Sequence, residues 1–172
     1  MSVERVTYLD SSAIVKLVEV APESTALRQY LRRRRPYISS ALARTEVMRA
    51  LLPLGPEAVR RGHEVLLNID LVRVNDRVLD LAGELPPPTL RTLDAIHLAT
   101  ARLLGGSLAR LVTYDERMLV AARLMGVSLS PRLDELVSSS WRVVLKKALN
   151  HPDTTRTWEA YSVRPVNLKM SR

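Results

Sequence analysis

The sequence predicts an α/β fold built on a mostly parallel sheet. Three observations carry this. Short β-rich apolar runs alternate with helical patterns over residues 1–132, as βαβ crossovers require. One helical pattern is apolar nearly all round, through Ala95-Ile96-His97-Leu98-Ala99-Thr100-Ala101, so it is central and buried. Two of the strand-like runs lead directly into aspartates, Asp10 and Asp115, at the edge where open α/β sheets keep their ligand sites.

The elements follow in order. Val6 to Leu9 is a short β-rich run that stops at Asp10, and Ser11 to Val18 reads as a helix. Pro22 suits a first helical turn and opens a second helix, which Pro36 breaks after Arg35. Tyr37-Ile38-Ser39 is a second strand. Ser40 to Leu52 is helical until Pro53 and Gly55, and Glu57 to Leu67 is helical again. Leu71 to Val74 reads as a strand and Asp76 to Leu85 as a helix. Pro86-Pro87-Pro88 is a stiff loop. The apolar helix spans Leu90 to Leu104 and ends at Gly105-Gly106. Leu108 to Thr113 is a strand, Asp115 to Met125 a helix, and Val127-Ser128-Leu129 a closing strand.

A length of 172 residues fits one domain with an extension, enough to bury a core without disulfides. There is no cysteine, which excludes a disulfide framework, a thiolate zinc site and a cysteine nucleophile, and suits a reducing compartment. The formal charge of +8 favours a polyanionic partner. No apolar run is long enough to cross a membrane, and Met1-Ser2-Val3-Glu4-Arg5 begins no long apolar signal region, so the expectation is a soluble cytoplasmic protein. With only 6 Gly, the Rossmann fingerprint and the P-loop are both absent. Both tryptophans, Trp141 and Trp158, lie beyond residue 132, which sets a domain at 1–132 and an extension at 133–172. Leu133, Leu136, Val137, Trp141, Val144, Leu145 and Ala148 form a helical stripe there, followed by an irregular polar stretch from Asn150 to Arg172.

Four carboxylates stand out. Asp10 and Asp115 close strands, Asp94 sits in the first turn of the apolar helix, and Glu46 lies at the edge of the stripe of Ala43, Val47 and Ala50. Each has a plain structural role available. Asp10 and Asp115 suit N-caps, Asp94 suits the helix dipole, and Glu46 suits a solvated edge paired with Arg49. Together they point elsewhere, because clustered buried carboxylates repel unless they protonate or meet a cation. Oxygen-only ligands suit Mg²⁺ or Mn²⁺, which bind one or two carboxylates and keep several waters.

The residues resemble a family at this point. Leu9-Asp10-Ser11-Ser12-Ala13-Ile14-Val15-Lys16-Leu17 is similar to the opening motif of PIN domains. Ser39 to Glu46 resembles their second block, Leu90 to Ala101 the third and Val112 to Met118 the fourth, while Gly126 to Pro131 resembles the closing strand. The order and number of these blocks make the resemblance specific, over residues 3 to 132, to VapC-type toxins of bacterial toxin–antitoxin pairs. It implies a PIN-like three-layer αβα fold and a Mg²⁺- or Mn²⁺-dependent endoribonuclease. Its catalytic and metal-binding acids would be Asp10, Glu46, Asp94 and Asp115, with Asp10 and Asp94 the surest ligands. It also implies an RNA substrate, a cognate antitoxin and a homodimer.

Secondary candidates surround these acids. Thr113 is a possible supporting hydroxyl or an ordinary strand residue. Ser12 steadies Asp10 or merely starts a helix. Arg91, one turn before Asp94, is the better phosphate contact, whereas Arg32-Arg33-Arg34-Arg35 reads as a solvated helix end. His97, three residues after Asp94, reads as a satisfied core histidine, and three scattered histidines argue against a zinc hydrolase. The alternative function is a catalytically silent PIN-like RNA-binding or scaffold module. Haloacid-dehalogenase-like phosphatases are disfavoured because Ser12 stands where they need a second aspartate. Receiver domains are disfavoured because the acidic pair and late lysine are missing.

Overall fold

The computed structural model describes residues 5–20 and 22–130. Strands β1 (Val6–Leu9), β2 (Tyr37–Ser40), β3 (Asp70–Val72) and β4 (Leu108–Val112) form one sheet in the order β3-β2-β1-β4, every pairing parallel. Among the described residues seven α-helices lie between and after them: α1 (Ser11–Val18), α2 (Pro22–Leu31), α3 (Ala43–Leu51), α4 (Pro56–Leu66), α5 (Asp76–Gly83), α6 (Thr92–Leu103) and α7 (Glu116–Leu124).

Strand alternation creates the layers. Successive side chains leave opposite faces of a strand. Leu9 and Val112 join one buried cluster with Ala13, Ile14, Leu27, Val47, Leu51 and Ala58 from α1 to α4. Tyr8 and Leu111, one residue earlier in each strand, join a second cluster with Val78, Leu98, Ala99, Met118 and Ala122 from α5 to α7. The sheet is thus the middle of three layers. Burial on both faces is why β1 and β4 end in apolar pairs, Tyr8-Leu9 and Leu111-Val112. No helix among the described residues is long and apolar enough to cross a membrane.

The strand order places the crevice. From β1 the chain moves outward to β2 and β3, then returns across the sheet to β4 on the other side of β1. Connections diverge where the order reverses, which opens a crevice beyond the carboxyl ends of β1 and β4. Asp10 and Asp115 follow those two ends.

Three elements depart from the sequence expectation. Helix α2 stops at Leu31, not Arg35. The Arg34 N–H turns back to the Leu31 carbonyl at 2.9 Å, and Thr7 of β1 captures the carbonyls of Arg34 at 2.8 Å and Pro36 at 3.0 Å. The residue before proline also disfavours helix. Helix α3 starts at Ala43, not Ser40, because Ser40 still pairs with Val72 and the Ala41 N–H bonds the Val72 carbonyl at 2.8 Å. The expected closing strand is a single parallel bridge, Leu111 with Leu129. Gly126, at φ 66°, turns the chain off α7, and the Val127 N–H stays bonded to the Ala122 carbonyl at 2.9 Å. That leaves too few residues for a ladder. The boundary at residue 132 and the amphipathic stripe beyond it lie outside the described residues.

Helices α3 and α4 cross at Gly62. A Cβ there would lie 2.8 Å from Met48 Cε and closer still to Leu51 Cδ1, and Leu51 is fully buried. Gly62→Val should therefore cost about 1–3 kcal/mol by overpacking. Gly62→Ala should cost less, because alanine returns up to about 1 kcal/mol of helix propensity. Urea denaturation of the two variants checks the ranking.

Candidate active site

Asp10 is the most buried carboxylate of the crevice, at 3% exposure. It caps α1: Oδ1 accepts from the Ala13 N–H at 2.9 Å and from the Ser12 hydroxyl at 2.7 Å. Oδ2 accepts from the Thr113 hydroxyl at 2.7 Å. Both supporting hydroxyls are themselves held from β4's end, Ser12 Oγ by the Tyr114 N–H at 2.7 Å and Thr113 Oγ1 by the Asp115 N–H at 3.0 Å. Burial pushes the Asp10 carboxyl above its ordinary value, opposed by nearby His97 and by these three donors.

Asp115 caps α7, its Oδ1 accepting from the N–H groups of Arg117 at 2.8 Å and Met118 at 3.0 Å. Asp94 lies in the first turn of α6 and is half-buried. Its Oδ2 is buried without a hydrogen-bond partner. Burial pushes its carboxyl up, and the charges of Asp115 and Asp10 push it further, while Arg91 and His97 act against them. The two like charges that raise Asp94 are those that follow β1 and β4. Arg91, exposed at the N-cap of α6, is the cation acting most on Asp94.

Glu46 enters from α3 but pairs across the crevice, not with Arg49 as its spacing allowed. Its Oε2 lies 2.7 Å from His97 Nε2 on α6 and accepts from the Ser11 hydroxyl at 2.5 Å. The His97 bond, chiefly, holds its carboxyl below the ordinary value, against a partial burial that raises it. His97 is 2% exposed and its other nitrogen, Nδ1, lies 2.8 Å from the Tyr8 hydroxyl. It is a satisfied buried histidine, and it also touches a site carboxylate. Tyr8 lies outside the sequence motifs, and Ser11 stands in the first of them without a role of its own. Tyr8 had one usable signal, since it sits two residues before Asp10 on the same strand face. The Arg32–Arg35 run lies at the other end of the sheet, Arg34 stacked 3.9 Å over the Tyr30 ring.

Among the described residues no group of three or more His, Asp or Glu side chains is already spaced to hold a metal ion. A small hard cation does not need one, because Mg²⁺ binds through one or two carboxylates and completes its shell with water. The unpartnered, buried Oδ2 of Asp94, which feels the charges of two further aspartates, fits such a cation, and an all-oxygen donor set suits Mg²⁺ or Mn²⁺.

A parallel αβα sandwich with an acid-lined crevice at its strand switch point defines a class, and comparison with known proteins gives the family. The PIN domain profile matches residues 7–124. Ribonuclease VapC46 of Mycobacterium tuberculosis (strain ATCC 25618 / H37Rv) is 63% identical over 121 residues, 70% of this chain and 93% of that protein. Ribonuclease VapC47 of the CDC 1551 / Oshkosh strain is 38% identical over 130 residues, 72% of this chain and 96% of that protein. The crystal structure of M. tuberculosis VapC20, a sarcin-ricin loop cleaving toxin, superposes with a TM-score of 0.57 at 15% identity, covering 67% of this chain and 94% of that one. The chain belongs to the PIN-domain family, among the VapC ribonucleases.

The electrostatics of Asp94 make a stability prediction. A carboxyl that titrates higher folded than unfolded binds its proton more tightly in the fold. Its stabilising share is full at acid pH and is lost as pH rises from the unfolded value through the raised folded one. Asp94→Asn removes that loss. The metal-free variant should melt higher than wild type at neutral pH, by about 2–4 °C per kcal/mol regained. The difference should shrink below the ordinary aspartate value of about 3.9. Melting curves across pH check both the sign and the window.

Proposed function

We propose that the chain is a divalent-metal-dependent endoribonuclease, the toxin of a toxin–antitoxin pair. The observation that carries this is the buried, unpartnered Asp94 Oδ2 in a crevice it shares with Asp10 and Asp115. Asp10 and Asp94 would hold Mg²⁺ or Mn²⁺, with Asp115 and Glu46 completing the site. Bound there, the ion would polarise a phosphoryl oxygen, lower the pKa of a water and orient in-line attack. The protein supplies the rest. Ser12 and Thr113 fix the Asp10 carboxylate. The N–H groups of α7 hold Asp115 at its cap. Arg91 offers a cation to the RNA phosphate at the rim, and the burial of Asp10 keeps bulk water from loosening the arrangement.

A cluster of carboxylates also suits inhibition by arginine, whose planar fork binds carboxylates bidentately. The cognate antitoxin of this reading is therefore a protein that presents a basic residue to Asp10, Glu46 and Asp94. A homodimer belongs to the same reading.

Incubation with total RNA and mapping of new ends tests the proposal. Wild type should cut with Mg²⁺ or Mn²⁺ and not with chelator, and Asp94→Asn should fall to background. RNA bound but uncut by wild type in the presence of metal would favour the silent RNA-binding module.

A further inference from the structure

His97 is enclosed, and both ring nitrogens meet polar atoms: Nδ1 lies 2.8 Å from the Tyr8 hydroxyl and Nε2 lies 2.7 Å from Glu46 Oε2. We infer that Tyr8 and His97 are positioning residues for Glu46, Tyr8 fixing the imidazole in its Nε2–H tautomer so that His97 pins the carboxylate at the crevice. The inference rests on the reading of Glu46 as a site carboxylate.

The direction of each bond follows from chemistry. An ionised carboxylate only accepts, so Nε2 must carry the hydrogen it shares with Glu46. The Ser11 hydroxyl lies 3.3 Å from Nε2 but gives its proton to Glu46 Oε2 at 2.5 Å, so it does not compete for that role. A neutral ring with Nε2–H leaves a lone pair on Nδ1, and the Tyr8 O–H fills it. A phenol O–H at 2.8 Å is a donor that such a lone pair can accept from. The two rings meet edge-on, 6.0 Å apart at 84°, which aims the phenol edge at the imidazole. Glu46 Oε1 accepts no hydrogen bond among the described residues and stays available to the crevice.

The opposite tautomer would aim the Nε2 lone pair at the carboxylate. Glu46 would then keep only Ser11 and would swing away as a half-exposed side chain does. Tyr8, on the strand that also presents Asp10, thereby sets the position of an acid from α3 through a ring on α6. Histidine orientation by its second nitrogen is a general device, and removing such outer partners typically costs about 10–100-fold in affinity or activity.

Nitrogen-15 spectra of the histidine rings in the full-length, metal-free chain at pH 8 test the tautomer directly. The chain has three histidines, and His97→Gln identifies the His97 signals by their loss. Expected is a protonated Nε2 and a bare Nδ1 for wild type, with mixed tautomers in Tyr8→Phe. A ring protonated on Nδ1 in wild type overturns the inference, and this readout does not need a folded Tyr8→Phe variant. In cleavage assays Tyr8→Phe and His97→Leu should lose about 10–100-fold in kcat at unchanged KM for RNA. His97→Gln, which keeps an N–H for Glu46, should recover most of it. In a Glu46→Gln background, Tyr8→Phe should cost nothing more, whereas a merely structural tyrosine would give additive losses. Asp94→Asn separates the two levels. If it abolishes cleavage while Tyr8→Phe and His97→Leu leave kcat intact, the relay is wrong and the site stands. If Asp94→Asn cuts RNA normally, the site itself is wrong.

Discussion

A carboxylate at 3% exposure must find donors or give up its charge, and Asp10 finds three of them. One comes from its own helix turn. The others are hydroxyls anchored at the end of β4, more than a hundred residues along the chain. This ties the first strand to the fourth at the point where the sheet order reverses. Parallel pairing of β1 with β4 brings Leu9 level with Val112, and the Asp10 N–H continues the ladder to the Val112 carbonyl at 3.1 Å. The hydroxyl cradle and the sheet register therefore require each other.

The three other acids meet the same electrostatic problem differently. Asp115 spends its charge on the amide groups of a helix start. Glu46 spends its charge on a histidine and a serine, and its carboxyl is held low. Asp94 has no such outlet, since the first turn of α6 leaves Oδ2 buried and unbonded while the charges of Asp115 and Asp10 raise its carboxyl. A fold that satisfies three carboxylates and leaves the fourth wanting has concentrated its unmet demand at one atom. Unmet demand of this kind is tolerated where a ligand answers it.

The sequence made the frame legible because the frame is local. The alternation of strand-like and helical runs marked Val6 to Leu9 and Leu108 to Thr113, the second one residue longer than β4, the apolar run marked α6, and Asp10 and Asp115 announced both strand ends and caps. Ser12 and Thr113 were visible as candidates because they stand within two residues of those aspartates. Tyr8 and Ser11 were not, because their meaning depends on His97, which is 89 and 86 positions away. The end of α2 was misplaced for the same reason, since the carbonyls of Arg34 and Pro36 that follow it are claimed by Thr7 of β1. Glu46 pointed to Arg49 by helical spacing, yet a buried imidazole on a neighbouring helix is the stronger partner for a half-buried carboxylate.

Charge distribution completes the picture. The chain is cationic overall at +8, yet its crevice is lined by acids. Arg34, Arg35 and Arg110 gather around Tyr30 and Tyr37, toward the amino ends of the strands. Such a field draws a polyanion to the surface at long range. Screening confines it to roughly 8 Å at physiological ionic strength, so arginines at one end of the sheet do not neutralise carboxylates at the other. Arg91 is the cation that acts on Asp94, and it sits exposed at the rim. A phosphodiester attracted to this protein would therefore meet repulsion at the very place where Asp10 and Asp94 wait. Under the proposed function the crevice would take a cation of its own before phosphate entered, and the small hard ion that carboxylate oxygens prefer would also activate water against phosphorus.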